Sequence, residues 1–292
     1  MSSERNGIPV ERKAGEPQSP MMVAGGGGTR IAVYEYGDAQ APEILLVHGF
    51  SQSHLAWARQ YESPLLQRFR LVVIDLRGHA ASEKPTDSGS YDKGTLWADD
   101  IHAVLKAKDL KSPLAVVWSY GGFIIGDYVR EYGDAALAGI VFVSAATQIG
   151  TQGAKGHYGA GMKVLLCMLD PRQEVSIPAT REFIRTAVAR PLFAEEFETA
   201  LAYNMAVSPE VRTALLSRVV DSDDALARIR VPVSIVHGEK DTITLLAAAE
   251  HIAAKIGHAK KSYYPNAGHC PFMEDPERFN RELAAMRALA RM

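Results

Sequence analysis

Two cysteines, Cys167 and Cys270, are all that the 292-residue chain contains, and they lie far apart. No CxxC spacing accompanies them, so a disulfide-stapled scaffold is excluded and free thiols in a reducing compartment are expected. No apolar run is long enough to span a bilayer. An excess of one charge is lacking too: 32 Lys and Arg stand against 34 Asp and Glu. Neither nucleic acid nor an anionic membrane is therefore an expected partner. The nine histidines show no HExxH or similar metal-ligand spacing, so no metal and no cofactor is expected. The first twenty residues, MSSERNGIPVERKAGEPQSP, are polar and lack the apolar core of a signal peptide. They read as the start of a disordered tail over 1–28, on a cytoplasmic protein.

What is present is a rhythm. Strand-like runs recur at 31–36, 43–49, 70–75, 113–118, 139–144, 231–238 and in KKSYYP. The central runs, such as EILLV, RLVVI, LAVVW and GIVFV, are continuously apolar, as strands covered on both faces must be. Helical periodicity lies between them. Leu96, Trp97, Ile101, Val104 and Leu105 form one apolar face, and Phe279, Leu283, Met286 and Leu289 another. The fold class expected is α/β, a mostly parallel central sheet with helices on both faces. The rhythm breaks between 147 and 229, where only helix-like pieces occur. This interval is expected to be a helical cap inserted before the last strands, dividing the core into 29–146 and 230–292.

In such sheets reactive groups gather at the carboxyl ends of the strands. Here those ends carry HGF (48–50), DLRGHAAS (75–82), WSYGG (118–122) and HGEKD (237–241), with NAGHCPFMEDP after the last strand. A serine, then an acid, then a histidine on successive strand-end loops suits nucleophilic acyl chemistry. Serine needs a base to take its proton, and a carboxylate fixes the tautomer of that base. Read alone, Asp241 could also cap the helix that begins near Leu245.

On these five motifs, in this order, the chain resembles the α/β-hydrolase superfamily from about Thr29 onward. The resemblance implies that Ser119 is the nucleophile, Asp241 the acid and His269 the base. The oxyanion hole would be the backbone N–H groups of Phe50 and Tyr120. His48, Asp75, Arg77 and His79 are expected to be scaffold, and His54, His102, His157, His251 and His258 ordinary residues, with His157 a candidate for the lid. Two positions depart from the family pattern: Val117 stands where the elbow usually has glycine, and Ala80 replaces glycine in RGHAAS. Val117 needs a small facing residue, and Gly121 is expected to be the crowded side of the bend. Met162, Leu165, Leu166 and Phe183 are expected to roof the pocket. The function implied is hydrolysis of a small-molecule carboxylic ester or lactone through an acyl-enzyme. A cofactor-free perhydrolase similar to non-haem haloperoxidases and a non-catalytic ligand receptor are the alternatives. The oligomeric state is not legible.

Overall fold

A computed structural model describes residues 19–289. Among the described residues ten strands occur in chain order: β1 Met21–Ala24, β2 Arg30–Gly37, β3 Glu43–Val47, β4 Arg70–Ile74, β5 Leu114–Trp118, β6 Gly139–Val143, β7 Gln148–Ile149, β8 Val220–Asp221, β9 Val233–Gly238 and β10 Lys260–Tyr264. Eight of them make one sheet in the order β1-β2-β4-β3-β5-β6-β9-β10. From β4 onward every neighbouring pair is parallel, while β1–β2 and β2–β4 are antiparallel. The continuous apolar runs explain the interior. Every residue of β5 and β6 is buried, because helices cover both faces. The edge strand β10 begins with two exposed lysines, which discourage pairing with another sheet.

The expected tail over 1–28 is corrected at its end. Residues 1–18 lie outside the described part, but Met21–Ala24 pairs with β2. The first two glycines of the run behind it dock against a helix. A Cβ on Gly25 would stand 2.2 Å from Asp100 Oδ1, and one on Gly26 would stand 2.3 Å from the Leu96 carbonyl. Only glycine lets this segment lie against helix Gly94–Ala107. Asp100 then accepts from the Gly26 N–H at 2.9 Å and from the buried Arg77 guanidinium at 2.7 and 2.8 Å. Arg77 spends its remaining donors on carbonyls of Gly26, Ser90 and Leu96.

The interval between β6 and β9 holds helices Met162–Cys167, Gln173–Thr186, Ala194–Met205 and Pro209–Leu216. Ser208 caps the last of these by accepting from the Val211 N–H, with proline at the first helical position. The interval is not purely helical, however. The two-residue strands β7 and β8 pair antiparallel and close its base. At the C-terminus the expected apolar face of helix Pro276–Leu289 holds at Phe279 and Leu283, while Leu289 is exposed. Arg287 is buried instead, donating to the carbonyls of Glu43 and Ser112.

Candidate active site

Strand β5 ends at Trp118, and the next residue turns back sharply. Ser119 has φ 52°, a left-handed conformation that an L-residue adopts at a cost. Helix Gly121–Tyr132 starts two residues later, so the hydroxyl is left at the sheet's carboxyl edge. Small neighbours make the bend possible. A Cβ on Gly49 would lie 2.9 Å from Ser119 Cβ, and one on Gly122 only 2.4 Å from the Ala146 carbonyl. At Gly121 the nearest atoms would be at 3.2–3.4 Å, Val117 Cβ among them. Gly121 is thus the small residue that faces Val117, as its bulk requires, but the tightest position is Gly122 and not Gly121.

The structure brings Ser119, His269 and Asp241 together in one hydrogen-bonded line. Ser119 Oγ is 2.8 Å from His269 Nε2, and His269 Nδ1 is 2.7 Å from Asp241 Oδ2. A carboxylate can only accept, so Nδ1 carries the proton and Nε2 is free to accept from the serine hydroxyl. Asp241 does not cap the helix Leu246–Lys255, whose N-cap is Leu245 without a side-chain bond; it holds the turn that leads into it. Its other oxygen accepts from the N–H groups of Ile243 and Thr244 at 2.8 and 3.1 Å. His269 is held by its backbone, with N–H to the Ala187 carbonyl at 2.8 Å and C=O from Trp118 Nε1 at 2.9 Å. Glu274, in the acidic segment after the histidine, accepts from the Gly268 N–H at 2.7 Å and from Ala189 at 2.7 Å. Both aspartate and histidine are buried.

Phe50 lies on the loop after β3, directly beside the elbow, its ring 6.5 Å from that of Tyr120. Among the described residues neither the Phe50 N–H nor the Tyr120 N–H donates to a backbone carbonyl. Two buried histidines shape the loop. His48 accepts from the Leu76 N–H at 3.0 Å, and His79 accepts from the Ser51 N–H at 3.1 Å. Their Nδ1 atoms face the carbonyls of Gly49 and Arg77 at 2.8 Å each, which fixes both rings in the neutral Nδ1–H tautomer. Burial pushes His48 down to about 4 and His79 down to about 3. In the unfolded chain both would protonate near 6.5. Their contribution is therefore complete above that pH and is lost as pH falls towards the folded values. Stability should fall by about 2–3 kcal/mol per pH unit below pH 6.5 while both sites are involved. Urea melts at pH 7, 6 and 5 measure this, and an unchanged midpoint across them would contradict it.

Asp75 does serve the loops as expected, accepting from the N–H groups of His54 and Ala81 at 2.8 and 3.2 Å. His54, however, is not an ordinary surface histidine. Its Nδ1 lies 3.0 Å from Asp75, and its ring stacks on Tyr34 at 3.6 Å. Ala80, which follows His79, has φ 37°. Its Cβ is strained there, so Ala80→Gly should raise stability by up to about 1 kcal/mol without loss of activity. A lower melting temperature would show that the backbone tolerates alanine at no cost.

Around Ser119 and His269 lies a small cavity of about 30 Å³ with mostly apolar walls. Phe50, Tyr120, Phe123 and Ile243 come from the core, and Ile149, Tyr158, Met162, Leu165, Phe183 and Leu216 from the interval between β6 and β9. Leu166 is the exception among the expected roof residues, pointing outward at 65% exposure. His157 does not line this space; it packs against His251, with ring centroids 4.9 Å apart. Cys270 follows the base but is buried, and burial pushes its thiol well above the ordinary range, while Cys167 is an exposed free thiol.

His237 opens the HGEKD segment at the end of β9. It is fully buried, with Nε2 2.8 Å from the Thr244 carbonyl and 3.5 Å from Asp241 Oδ2. Burial lowers its pKa, so it stands beside the acid as a neutral ring. Among the described residues no cluster of metal-ligating side chains occurs, and no helix is long and apolar enough to cross a membrane.

This arrangement has relatives. A putative aryl esterase from Burkholderia cenocepacia superposes with a TM-score of 0.88 at 31% identity, over 93% of this chain and 98% of that one. The esterase RhEst1 from Rhodococcus sp. ECU1013 gives a TM-score of 0.87 at 31% identity, over 93% and 99%. The bifunctional esterase/perhydrolase DCH of Acinetobacter calcoaceticus is 26% identical over 271 residues, 88% of this chain and 96% of its own length. The model of the alpha/beta hydrolase family matches residues 44–282, a span that contains every strand-end motif described above. With its sheet order, its elbow serine and this match, the chain belongs to the alpha/beta hydrolase family.

Proposed function

We propose that this protein hydrolyses small carboxylic esters or lactones through an acyl-enzyme on Ser119. The observation that carries the reading is the line from Ser119 through His269 to Asp241 at the wall of an apolar cavity. His269 Nε2 takes the serine proton as Oγ attacks the carbonyl carbon, and the imidazolium then protonates the leaving alcohol. The Phe50 and Tyr120 N–H groups donate to the oxygen that becomes negative in the tetrahedral intermediate. Water, deprotonated by the same histidine, attacks the acyl carbon and restores the serine. The interval 147–229 acts as a lid, and its apolar side chains favour small or medium uncharged acyl groups over charged ones.

Perhydrolysis is the second reading, supported by the name of the Acinetobacter relative. In it hydrogen peroxide replaces water in the second half-reaction, and the acyl-enzyme yields a peracid. A panel of p-nitrophenyl esters and lactones of graded size, with and without peroxide, tests both. Many turnovers per site on small or medium esters are expected. Saturable binding without turnover would overturn the reading in favour of a ligand receptor.

A further inference from the structure

Helix Pro209–Leu216 carries a cation with no carboxylate beside it. Arg212 is 1% exposed, and among the described residues it forms no ion pair. Its three donor groups meet three neutral oxygens from three different segments. Nη1 donates to the Met168 carbonyl at 2.7 Å, Nη2 to the Asn204 carbonyl at 2.6 Å, and Nε to Ser51 Oγ at 3.1 Å. Met168 closes helix Met162–Cys167, and Asn204 lies in the last turn of helix Ala194–Met205. Such ends present partly negative carbonyls, which suit a cation. Burial still pulls the guanidinium down to about 10, so it remains charged at neutral pH.

Burying a charge without an opposite charge is costly, and an apolar residue could have filled this space. What the guanidinium adds is reach. Ser51 is the residue after Phe50, and it is held at φ 61°. Its N–H donates to His79, and its hydroxyl lies 3.4 Å from the Asn204 carbonyl. On the other side of Phe50, Gly49 is fixed through its carbonyl by His48 and by the Gln52 N–H at 3.3 Å. Arg212 is thus the lid's contribution to a clamp on the peptide that precedes and follows the expected oxyanion donor.

We propose that Arg212 is a positioning residue: through Ser51 it ties three helices of the lid to the oxyanion loop and keeps the Phe50 N–H aimed at the reacting oxygen. The inference rests on the ester-hydrolysis reading. Substrate contacts on the lid would then feed directly into the alignment of an oxyanion donor, and a small misplacement there costs rate more than binding.

Three variants of the full chain test this: Ser51→Gly, Arg212→Lys and Arg212→Gln. Ser51→Gly removes the hydroxyl and relieves a left-handed backbone, but it leaves the buried Arg212 Nε–H without its acceptor, so kinetics are read well below the variant's melting temperature. Arg212→Lys keeps the charge but lacks the planar fork that reaches three acceptors. For p-nitrophenyl butyrate, kcat is expected to fall about ten-fold or more in each, with KM within about two-fold. A merely structural role would lower the melting temperature and leave kcat of the folded variants unchanged. Hydrogen exchange of the segment 48–55 should accelerate in all three. Wild-type kcat together with unchanged exchange in 48–55 would overturn the proposal. If the wild-type chain turned over no ester, the hydrolysis reading would fail by itself, and unchanged exchange in the variants would still reject the clamp.

Discussion

Ser119→Ala is expected to reduce ester turnover by on the order of a million-fold, the scale at which a triad loses its nucleophile. The fold should survive, because the elbow is held by its backbone. The Ser119 N–H donates to the Val143 carbonyl at 3.0 Å, and its C=O accepts from Gly122 and Ala146 at 2.9 and 3.0 Å. Alanine keeps all of these and pays the same φ cost as serine. Its melting temperature should therefore lie close to that of the wild type, so that lost turnover reports chemistry and not unfolding. Substrate binding should persist, since the apolar walls are untouched. A folded alanine variant with turnover within ten-fold of wild type would place the nucleophile elsewhere.

Asp241→Asn should cost about 10⁴-fold in turnover, for a reason visible in the two oxygens of the aspartate. One oxygen accepts from the N–H groups of Ile243 and Thr244, and the other faces His269 Nδ1. Asparagine can keep the turn only by placing its carbonyl oxygen towards the two N–H groups. Its NH₂ then points at the histidine and donates to Nδ1, which moves the ring proton to Nε2. In that tautomer Nε2 can no longer accept from Ser119. The protein stays folded with its catalytic base blocked. Steady-state kinetics alongside a thermal melt checks this, and near wild-type turnover from a folded Asp241→Asn variant would show that another acid orients the ring.

The features legible in the sequence were local ones. Continuous apolar runs such as LAVVW and GIVFV mark strands by themselves, and WSYGG and HGEKD each sit where an apolar run stops, while NAGH follows the edge strand KKSYY. Ser119, Asp241 and His269 thus stand out in the sequence by their place after strands. The features missed depend on partners far away in the chain. Nothing around GGGG says that Asp100 and Leu96 will close on it, and nothing around His54 names Asp75, 21 residues on. Arg212 reads as one more surface cation on an amphipathic helix until its acceptors, Ser51, Met168 and Asn204, are assembled around it. Leu165 and Leu166 differ only in the phase of a six-residue helix, too short for periodicity to settle which one faces inward. At the elbow, Val117 departs from the family pattern, and its compensation lies four residues on, at Gly121.

The central claim, that Ser119 becomes acylated, is tested most directly by acid-quenching the enzyme within milliseconds of mixing it with a p-nitrophenyl ester and mapping the added mass. One acyl group on the peptide that contains Ser119 is expected, absent from Ser119→Ala and lost from wild type as turnover proceeds. An acyl group on any other residue, or release of p-nitrophenol with no acylated peptide at any time, would contradict the mechanism.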